Sequence, residues 1–231
     1  MDQRMVTAIE AYVGAGYPTD AAAVLLAEVE GLEAGVDIDV AHIERIGRAN
    51  RATDVRLAGS DAERAALWKG RKTAFGAVAQ IAPDYYLHDT VVPRAKLADV
   101  LEQVYEIVDR HDVLVLNVFH AGDGNLHPLI LYRRDDPGVD QRVKDLGAAI
   151  LRECLAVGGS ITGEHGVGSD KRCYLDWMFT PEDLAVMRRL RLAFDPAGVA
   201  NPGKIFPTPT TCAESARRQV TLPSGSTAVA F

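Results

Sequence analysis

Hydrophobic residues recur along this chain at two spacings, and each spacing predicts a different element. Met5, Ile9 and Val13 lie four residues apart, so they form one face of a helix predicted over 4–14. Apolar runs or alternation with many β-branched residues predict strands instead. The predicted strands are 21–31, 53–58, 84–92, 112–120 and 127–132, and the further predicted helices are 36–50, 60–81, 93–111, 139–157 and 180–194.

Short polar signals mark the ends of several helices. Ser60 with Glu63 has the spacing of a capping box, and Pro181 stands in the first turn of the last predicted helix. Gly158–Gly159 ends the helix before it. Residues 195–207 are predicted as loop. The segment 208–231 is rich in Pro, Thr, Ser and Ala and is predicted as a disordered tail.

The order of these elements predicts an α+β fold. Only six residues, AGDGNL, separate the strands at 112–120 and 127–132, too few for a crossover helix, so the two strands should be antiparallel neighbours. We expect a ferredoxin-like antiparallel sheet with helices on one face, followed by a mainly helical C-terminal segment. The expected division is a first helix at 1–19, an α+β domain at 20–135, a helical segment at 136–207 and the tail at 208–231.

Composition excludes several classes of protein. The 231 residues carry a formal charge of −7, which gives no electrostatic support for nucleic-acid binding. No apolar run reaches the roughly 18 residues of a transmembrane helix. Three widely spaced cysteines, Cys154, Cys173 and Cys212, predict neither a disulfide framework nor a zinc knuckle. We therefore expect a cytoplasmic chain, and any association with a membrane would be through partner subunits.

Candidate chemistry is concentrated in two segments, HAGDGNLHP at 120–128 and ITGEHGVG at 161–168. His120 ends one predicted strand and His127 begins the next, so both imidazoles should lie on one face of the hairpin. Gly122 and Gly124 should allow positive φ in the turn. Asp123 is either a turn residue or a carboxylate that orients a histidine.

The second segment adds a carboxylate and a third imidazole. Glu164 and His165 are adjacent, so on an extended loop their side chains should point apart. This favours Glu164 as a third metal ligand and His165 as a base. Two histidines and one carboxylate suit zinc, manganese or iron(II) and leave positions open for substrate. Structural roles for the histidines, a stand-alone metal-dependent hydrolase and a non-catalytic binding domain remain alternatives at this point.

Several motifs in a fixed order resemble one known family. HAGDGNLHPLIL, GEHGVG and NPGKIF, together with LWKGRKTAF and DTVVPR, resemble the C-terminal half of vanillyl-alcohol-oxidase-type FAD-linked oxidases. The glycolate oxidase catalytic subunit and the D-lactate and D-2-hydroxyglutarate dehydrogenases are the most similar branches. The resemblance extends from AGYP near residue 15 to GKIFPTP, which is nearly the whole chain.

The resemblance implies oxidation of a 2-hydroxy acid to the 2-keto acid, with hydride transfer to FAD. It implies a divalent metal at His120, His127 and Glu164, with His165 as the base. It further implies that Arg71 binds the substrate carboxylate and that Asn201 lies near the flavin. Relatives that act on hydroxyglutarate have Asn two residues after the second His, where this chain has Leu129. This difference favours small substrates such as glycolate or D-lactate.

The resemblance also implies parts that this sequence does not contain. Family members carry an FAD-binding domain before the segment seen here, and this chain has no Gly-rich dinucleotide motif. A split gene, a truncated chain or a mis-assigned start would each explain this. We expect the first helix, which begins without an evident cap, to be left from that domain and to pack on it. The expected partners are the FAD-binding domain and an iron-sulfur electron-acceptor subunit, and the chain alone should be inactive.

Overall fold

The computed structural model describes residues 1–208, so all of the predicted tail except Thr208 lies outside the described residues. Two short 3-10 turns, Arg94–Lys96 and Arg172–Trp177, accompany the main elements. The helices are α1 Gln3–Val13, α2 Glu33–Ala49, α3 Asp61–Lys72, α4 Ala74–Ile81, α5 Leu97–Asp109, α6 Val139–Ala156 and α7 Pro181–Phe194. The strands are β1 Asp84–Leu87, β2 Thr90–Val91, β3 Leu114–His120 and β4 Asn125–Tyr132.

The α+β class is confirmed. β4 pairs with each of the other three strands. β1 pairs antiparallel with the second half of β4, from Asp84 opposite Tyr132 to Leu87 opposite Leu129. β2 pairs antiparallel with its beginning, where Thr90 is opposite Leu126. β3 pairs with β4, so the two strands that the short connection was predicted to join are neighbours. The single strand predicted at 84–92 is two short strands.

The chain divides into two compact units. The first unit contains Met1–His88, Val108–Phe119 and His127–Asp145. Its core is built on α1, whose residues Met5, Val6 and Ile9 are fully buried among apolar residues of α4, β3 and β4. The apolar face of α1 formed by these residues is thus covered within this unit. That the helix also packs on a separate FAD-binding domain stays a prediction.

The first helix also has a cap that the sequence analysis overlooked. The buried Asp2 carboxylate accepts hydrogen bonds from Met5 N at 2.7 Å, Asn117 N at 2.9 Å and Asn117 Nδ2 at 3.0 Å. The first of these is an N-cap contact, which satisfies an amide left without a helical partner. The other two join the start of α1 to β3.

The second unit contains Asp89–Ile107, His120–Leu126 and the chain from Leu146 onward. A small apolar core of Leu151, Ile161, Leu175 and Leu184 joins α6, α7 and the segment between them. The predicted helix starting at Thr180 is confirmed, with a complete capping box between Thr180 and Asp183. The loop at 160–168 follows directly from α6.

Two predicted strands are wrong. In 21–31 only Ala23 forms a bridge, to Asp2. Val24 and Leu26 pack on the core of the first unit, whereas Leu25 is 74% exposed. The alternating hydrophobic pattern of 21–31 therefore reflects burial of one side of this segment. No neighbouring strand pairs with it in the described part of the chain beyond the single bridge at Ala23. Residues 53–58 are also irregular.

The predicted helices are confirmed with local changes. The helix predicted over 60–81 is divided at Thr73 into α3 and α4. Ser60 accepts a hydrogen bond from Glu63 N at 3.2 Å, while the Glu63 carboxylate accepts from Gly59 N at 2.6 Å. None of the residues of α2 is fully buried, so within the described part of the chain its predicted apolar face is only partly covered, at Val36 and Val40.

Two further features concern the cysteines and the hydrophobicity of the helices. Cys154 is a free, buried thiol. None of the helices in residues 1–208 combines the length and hydrophobicity that crossing a bilayer requires.

Candidate metal centre

The hairpin between β3 and β4 carries the first two predicted ligands. Its turn is closed by Asp123 N donating to His120 O at 3.0 Å and by Gly124 N donating to Ala121 O at 3.3 Å. Gly124 has φ +71°, and a Cβ there would lie 2.1 Å from Val92 O, so glycine is required for both reasons. Gly122 does not have a positive φ, and that prediction is wrong.

His127 is held in a defined orientation. It is 4% exposed, and its Nδ1 lies 3.4 Å from the carbonyl oxygen of His88. A carbonyl oxygen can only accept, so this contact requires the proton on Nδ1. The lone pair is then on Nε2, which is the arrangement found in metal-binding histidines whose other nitrogen is held by a backbone carbonyl.

The loop that carries Glu164 and His165 is fixed by the buried carboxylate of Asp89. Asp89 Oδ2 accepts from Thr162 Oγ1 at 2.6 Å and from the backbone amides of Gly163, Glu164 and His165 at 2.8, 3.1 and 3.0 Å. Sequence analysis missed this residue. The signal that could have found it is a lone Asp between two apolar strand segments, inside the DTVVPR motif.

The electrostatic setting of Asp89 keeps it ionised. Burial acts to raise the pKa of this carboxyl group, but the hydrogen bonds from Thr162, His165 and Gly163 and the charge of Lys171 outweigh burial. The pKa therefore lies well below its usual range. Lys171 is itself buried, with Nζ 4.0 Å from Asp89 Oδ2 and donating to the Asp89 carbonyl.

The same loop is joined to β2 just beyond Asp89. Ser160 N donates to Val91 O at 2.8 Å, and Val91 N donates to Ser160 O at 3.2 Å. Gly163 packs closely there as well, because a Cβ at this position would lie 2.7 Å from Val91 Cγ2 and 2.8 Å from Asn125 Nδ2. The loop is thus held beside the start of β4, two residues before His127.

Two exposed imidazoles of the second unit lie near one carboxylate oxygen of Glu164. Glu164 Oε1 lies 3.9 Å from His120 Nε2 and 3.7 Å from His165 Nε2. The prediction that the Glu164 and His165 side chains point apart is wrong, because residues 163–165 form a bend and not an extended segment.

The predicted metal ligands meet the geometric requirement for one shared ion. His120, His127 and Glu164 each offer one ligand atom, and these atoms lie within 4.8 Å of one another. Two imidazoles and a carboxylate form a donor set suited to zinc, manganese or iron(II).

The remaining predicted site residues lie elsewhere in the chain. Arg71 is near the end of α3 in the first unit. Burial is the main reason that the pKa of the Met1 ammonium group is lowered, and the charge of Arg71 lowers it further. Asn201 is an exposed loop residue with φ +48°, and its carbonyl accepts from the Arg191 guanidinium at 3.1 Å. The roles predicted for both side chains remain predictions.

Comparison with known proteins identifies the family. The chain matches the family described as FAD linked oxidases, C-terminal domain, over residues 1–205. It belongs to this family. The resemblance inferred from the ordered motifs is therefore confirmed, and α1 lies inside the matched region.

Individual relatives agree with this family. The chain is 46% identical to the glycolate oxidase subunit GlcD of Escherichia coli over 93% of its own length and 43% of the relative's. It is 37% identical to the subunit of that name from Bacillus subtilis, over 95% of the chain and 46% of the relative. It is 31% identical to a mitochondrial D-lactate dehydrogenase (cytochrome) of Arabidopsis thaliana, over 81% of the chain and 33% of the relative. The chain thus spans less than half the length of these relatives.

Proposed function

We propose that this FAD-linked oxidase C-terminal domain is the substrate- and metal-binding part of an FAD-dependent dehydrogenase for small 2-hydroxy acids such as glycolate or D-lactate. Two names among its relatives, glycolate oxidase and D-lactate dehydrogenase, support this substrate class. The observation that carries the proposal is the convergence of His120, His127 and Glu164 within 4.8 Å. Family membership favours this function over a stand-alone metal-dependent hydrolase.

We assign a separate role to each side chain of the candidate centre. His120, His127 and Glu164 hold a divalent ion, which when bound supplies Lewis-acid polarisation of the substrate hydroxyl and carboxylate oxygens. His165 accepts the hydroxyl proton at a ring nitrogen. Its Nε2 lies 3.7 Å from Glu164 Oε1, so the proposed base stands directly beside a proposed metal ligand.

The proposed preference for small substrates rests on one position of β4. Leu129, two residues beyond His127, is fully buried in the apolar core of the first unit. It therefore offers no hydrogen bond to a second, distal carboxylate, and leaving such a charge without a partner is costly. This supports a substrate with a single carboxylate. Arg71 remains the proposed partner for that carboxylate, because a guanidinium can bind it through two parallel hydrogen bonds.

The proposal assigns the redox chemistry to parts outside this chain. FAD would be bound mostly by a separate FAD-binding domain, with Asn201 near the flavin, and an iron-sulfur subunit would accept the electrons. The chain covers 43% of the Escherichia coli relative, so a further domain is compatible with this division.

Metal content tests the proposal directly. Elemental analysis would measure the metal bound to the purified wild type and to His120→Ala/His127→Ala. Titration calorimetry would then measure how tightly each protein binds added Zn²⁺, Mn²⁺ or Fe²⁺. His42→Ala/His111→Ala removes two histidines outside the candidate centre and serves as the matched control. We expect near-stoichiometric binding in the wild type and the control and its loss in the site variant. Equal, negligible binding in all three proteins would refute the metal centre.

Dependence on a flavin domain is a separate prediction. With free FAD alone, the isolated chain should show no turnover of glycolate or D-lactate, because no described element of the chain supplies a dinucleotide-binding motif. Adding a separately produced FAD-binding domain from a relative should restore dye reduction, measured spectrophotometrically. Turnover by the isolated chain with FAD would contradict the division proposed here.

A further inference from the structure

The loop 162–165 is organised around a single buried side chain. Four donors, the Thr162 hydroxyl and the next three backbone amides, converge on Asp89 Oδ2 at 2.6 to 3.1 Å. Consecutive amides that point at one anion form a backbone nest. In this protein the anion in the nest is the chain's own carboxylate, separated from the loop by 73 to 76 residues in sequence.

We propose that Asp89 is a positioning residue of the candidate centre. Its carboxylate holds the backbone of 162–165 and so fixes the points from which the Glu164 and His165 side chains extend. This inference rests on the proposed function for the roles of those two residues, but the hold on the loop does not depend on it.

The physical argument has three steps. First, Asp89 is fully buried and cannot exchange these donors for water without local opening. Second, bonds from backbone amides to an ionised carboxylate are stronger than bonds between neutral groups. Third, Glu164 and His165 are about half exposed, with side-chain exposures of 51% and 44%, so packing constrains them little. Their placement therefore depends on the backbone, which Asp89 holds.

Neighbouring contacts strengthen this hold. The Thr162 hydroxyl donates to Asp89 and also accepts from Gly166 N at 2.9 Å, which extends the fixed segment by one residue. Asp89 immediately precedes β2, whose Val91 forms a two-bond bridge with Ser160. A shift of Asp89 would therefore be transmitted to both ends of the loop.

The test combines hydrogen exchange with metal affinity. For Asp89→Ala we expect amide exchange in 162–166 to rise at least about tenfold, and the apparent Kd for Zn²⁺ or Co²⁺ to rise about 10- to 100-fold, as for other residues that orient metal ligands. Asp89→Asn keeps the shape and loses the charge, so it should show a smaller effect. Thr162→Val should raise both the amide exchange in 162–166 and the apparent Kd for the metal. Thr162→Ser, which keeps a hydroxyl at this position, should leave both close to the wild-type values.

Asp183→Asn is the matched control. Asp183 also accepts hydrogen bonds from backbone and hydroxyl groups, both from Thr180 at the start of α7. Its substitution should lower global stability without a selective effect on 162–166 or on metal affinity. If Asp89→Ala does not fold, Asp89→Asn decides the question by the same two readouts.

The outcomes separate this inference from the proposed function. Selective exchange in the loop of the Asp89 variants, with weakened metal binding, supports the inference. Unchanged loop exchange, or a uniform increase like that of Asp183→Asn, overturns it. A wild type that binds no metal refutes the proposed centre, while the exchange comparison still decides whether Asp89 holds the loop.

Discussion

Replacing Gly163 with alanine tests how tightly the candidate loop is packed. A Cβ at this position would lie 2.7 Å from Val91 Cγ2 and 2.8 Å from Asn125 Cγ and Nδ2. Ordinary carbon contacts are about 3.5 to 4.0 Å, so either Asn125 or the loop must move. Asn125 is 5% exposed and has little room to do so.

The expected magnitude is the difference between two opposing effects. Overfilling a packed site costs about 1 to 3 kcal/mol. Alanine also reduces the conformational entropy of the unfolded chain, which stabilises the fold by about 0.4 to 1 kcal/mol. Since φ at Gly163 is not positive, no backbone strain is added. The midpoints of these ranges differ by about 1.3 kcal/mol, so we expect Gly163→Ala to lower the free energy of unfolding by roughly that amount, and by no more than about 2.6 kcal/mol.

Gly122→Ala provides the control within the other site segment. A Cβ at position 122 meets no atom within 4 Å, and φ there is not positive. This substitution should be neutral or should raise the free energy of unfolding by up to about 1 kcal/mol. Urea unfolding followed by circular dichroism and by the fluorescence of Trp68 and Trp177, one in each unit, measures both changes. The reasoning is refuted if Gly163→Ala is as stable as Gly122→Ala and binds metal as the wild type does.

Three further predictions concern burial and charge. Burial raises the pKa of the Cys154 thiol to about 11, so at pH 8 this thiol should react slowly with an alkylating reagent in the native protein and rapidly in urea, as followed by mass spectrometry. The lowered pKa of Asp89 contributes stability above the ordinary carboxyl value of about 4 that is lost as the pH falls through the folded-state pKa. The free energy of unfolding should therefore decrease below about pH 4, and less steeply in Asp89→Asn; parallel curves would contradict this. Ile9→Ala should cost about 2 to 5 kcal/mol, whereas Ile38→Ala, at a 69% exposed position, should change urea stability little; equal losses would count against the described core.

Local signals in the sequence predicted most helices correctly. α1, α2, α6 and α7 were predicted within a few residues, because apolar spacing and capping residues act over a single turn. The capping box at Thr180 is the most direct example, since all of its hydrogen bonds join residues three apart. The β3–β4 hairpin was also predictable, because six residues leave no other connection.

Errors arose where a local pattern needed a distant partner. The alternation over 21–31 correctly indicated that Val24 and Leu26 face a core, but strand formation also requires a neighbouring strand, and only Ala23 has one contact of that kind. The cap of α1 was overlooked because Asp2 was not recognised as a helix start. Its bonds to Asn117 cross 115 residues and could not be read from either segment.

For the candidate site, too, local sequence and long-range contacts determined different features. The sequence by itself determined which residues are candidates for the chemistry, because His120, His127, Glu164 and His165 stand in motifs whose glycines and order resemble the family that the chain matches. Only the tertiary structure decided how they are held. It placed the Asp89 carboxylate beneath the amides of 163–165, and it brought the Glu164 and His165 side chains together instead of apart. The physical reason is that composition and spacing specify local backbone preferences, whereas a hydrogen bond between residues more than 70 positions apart exists only after the chain has folded.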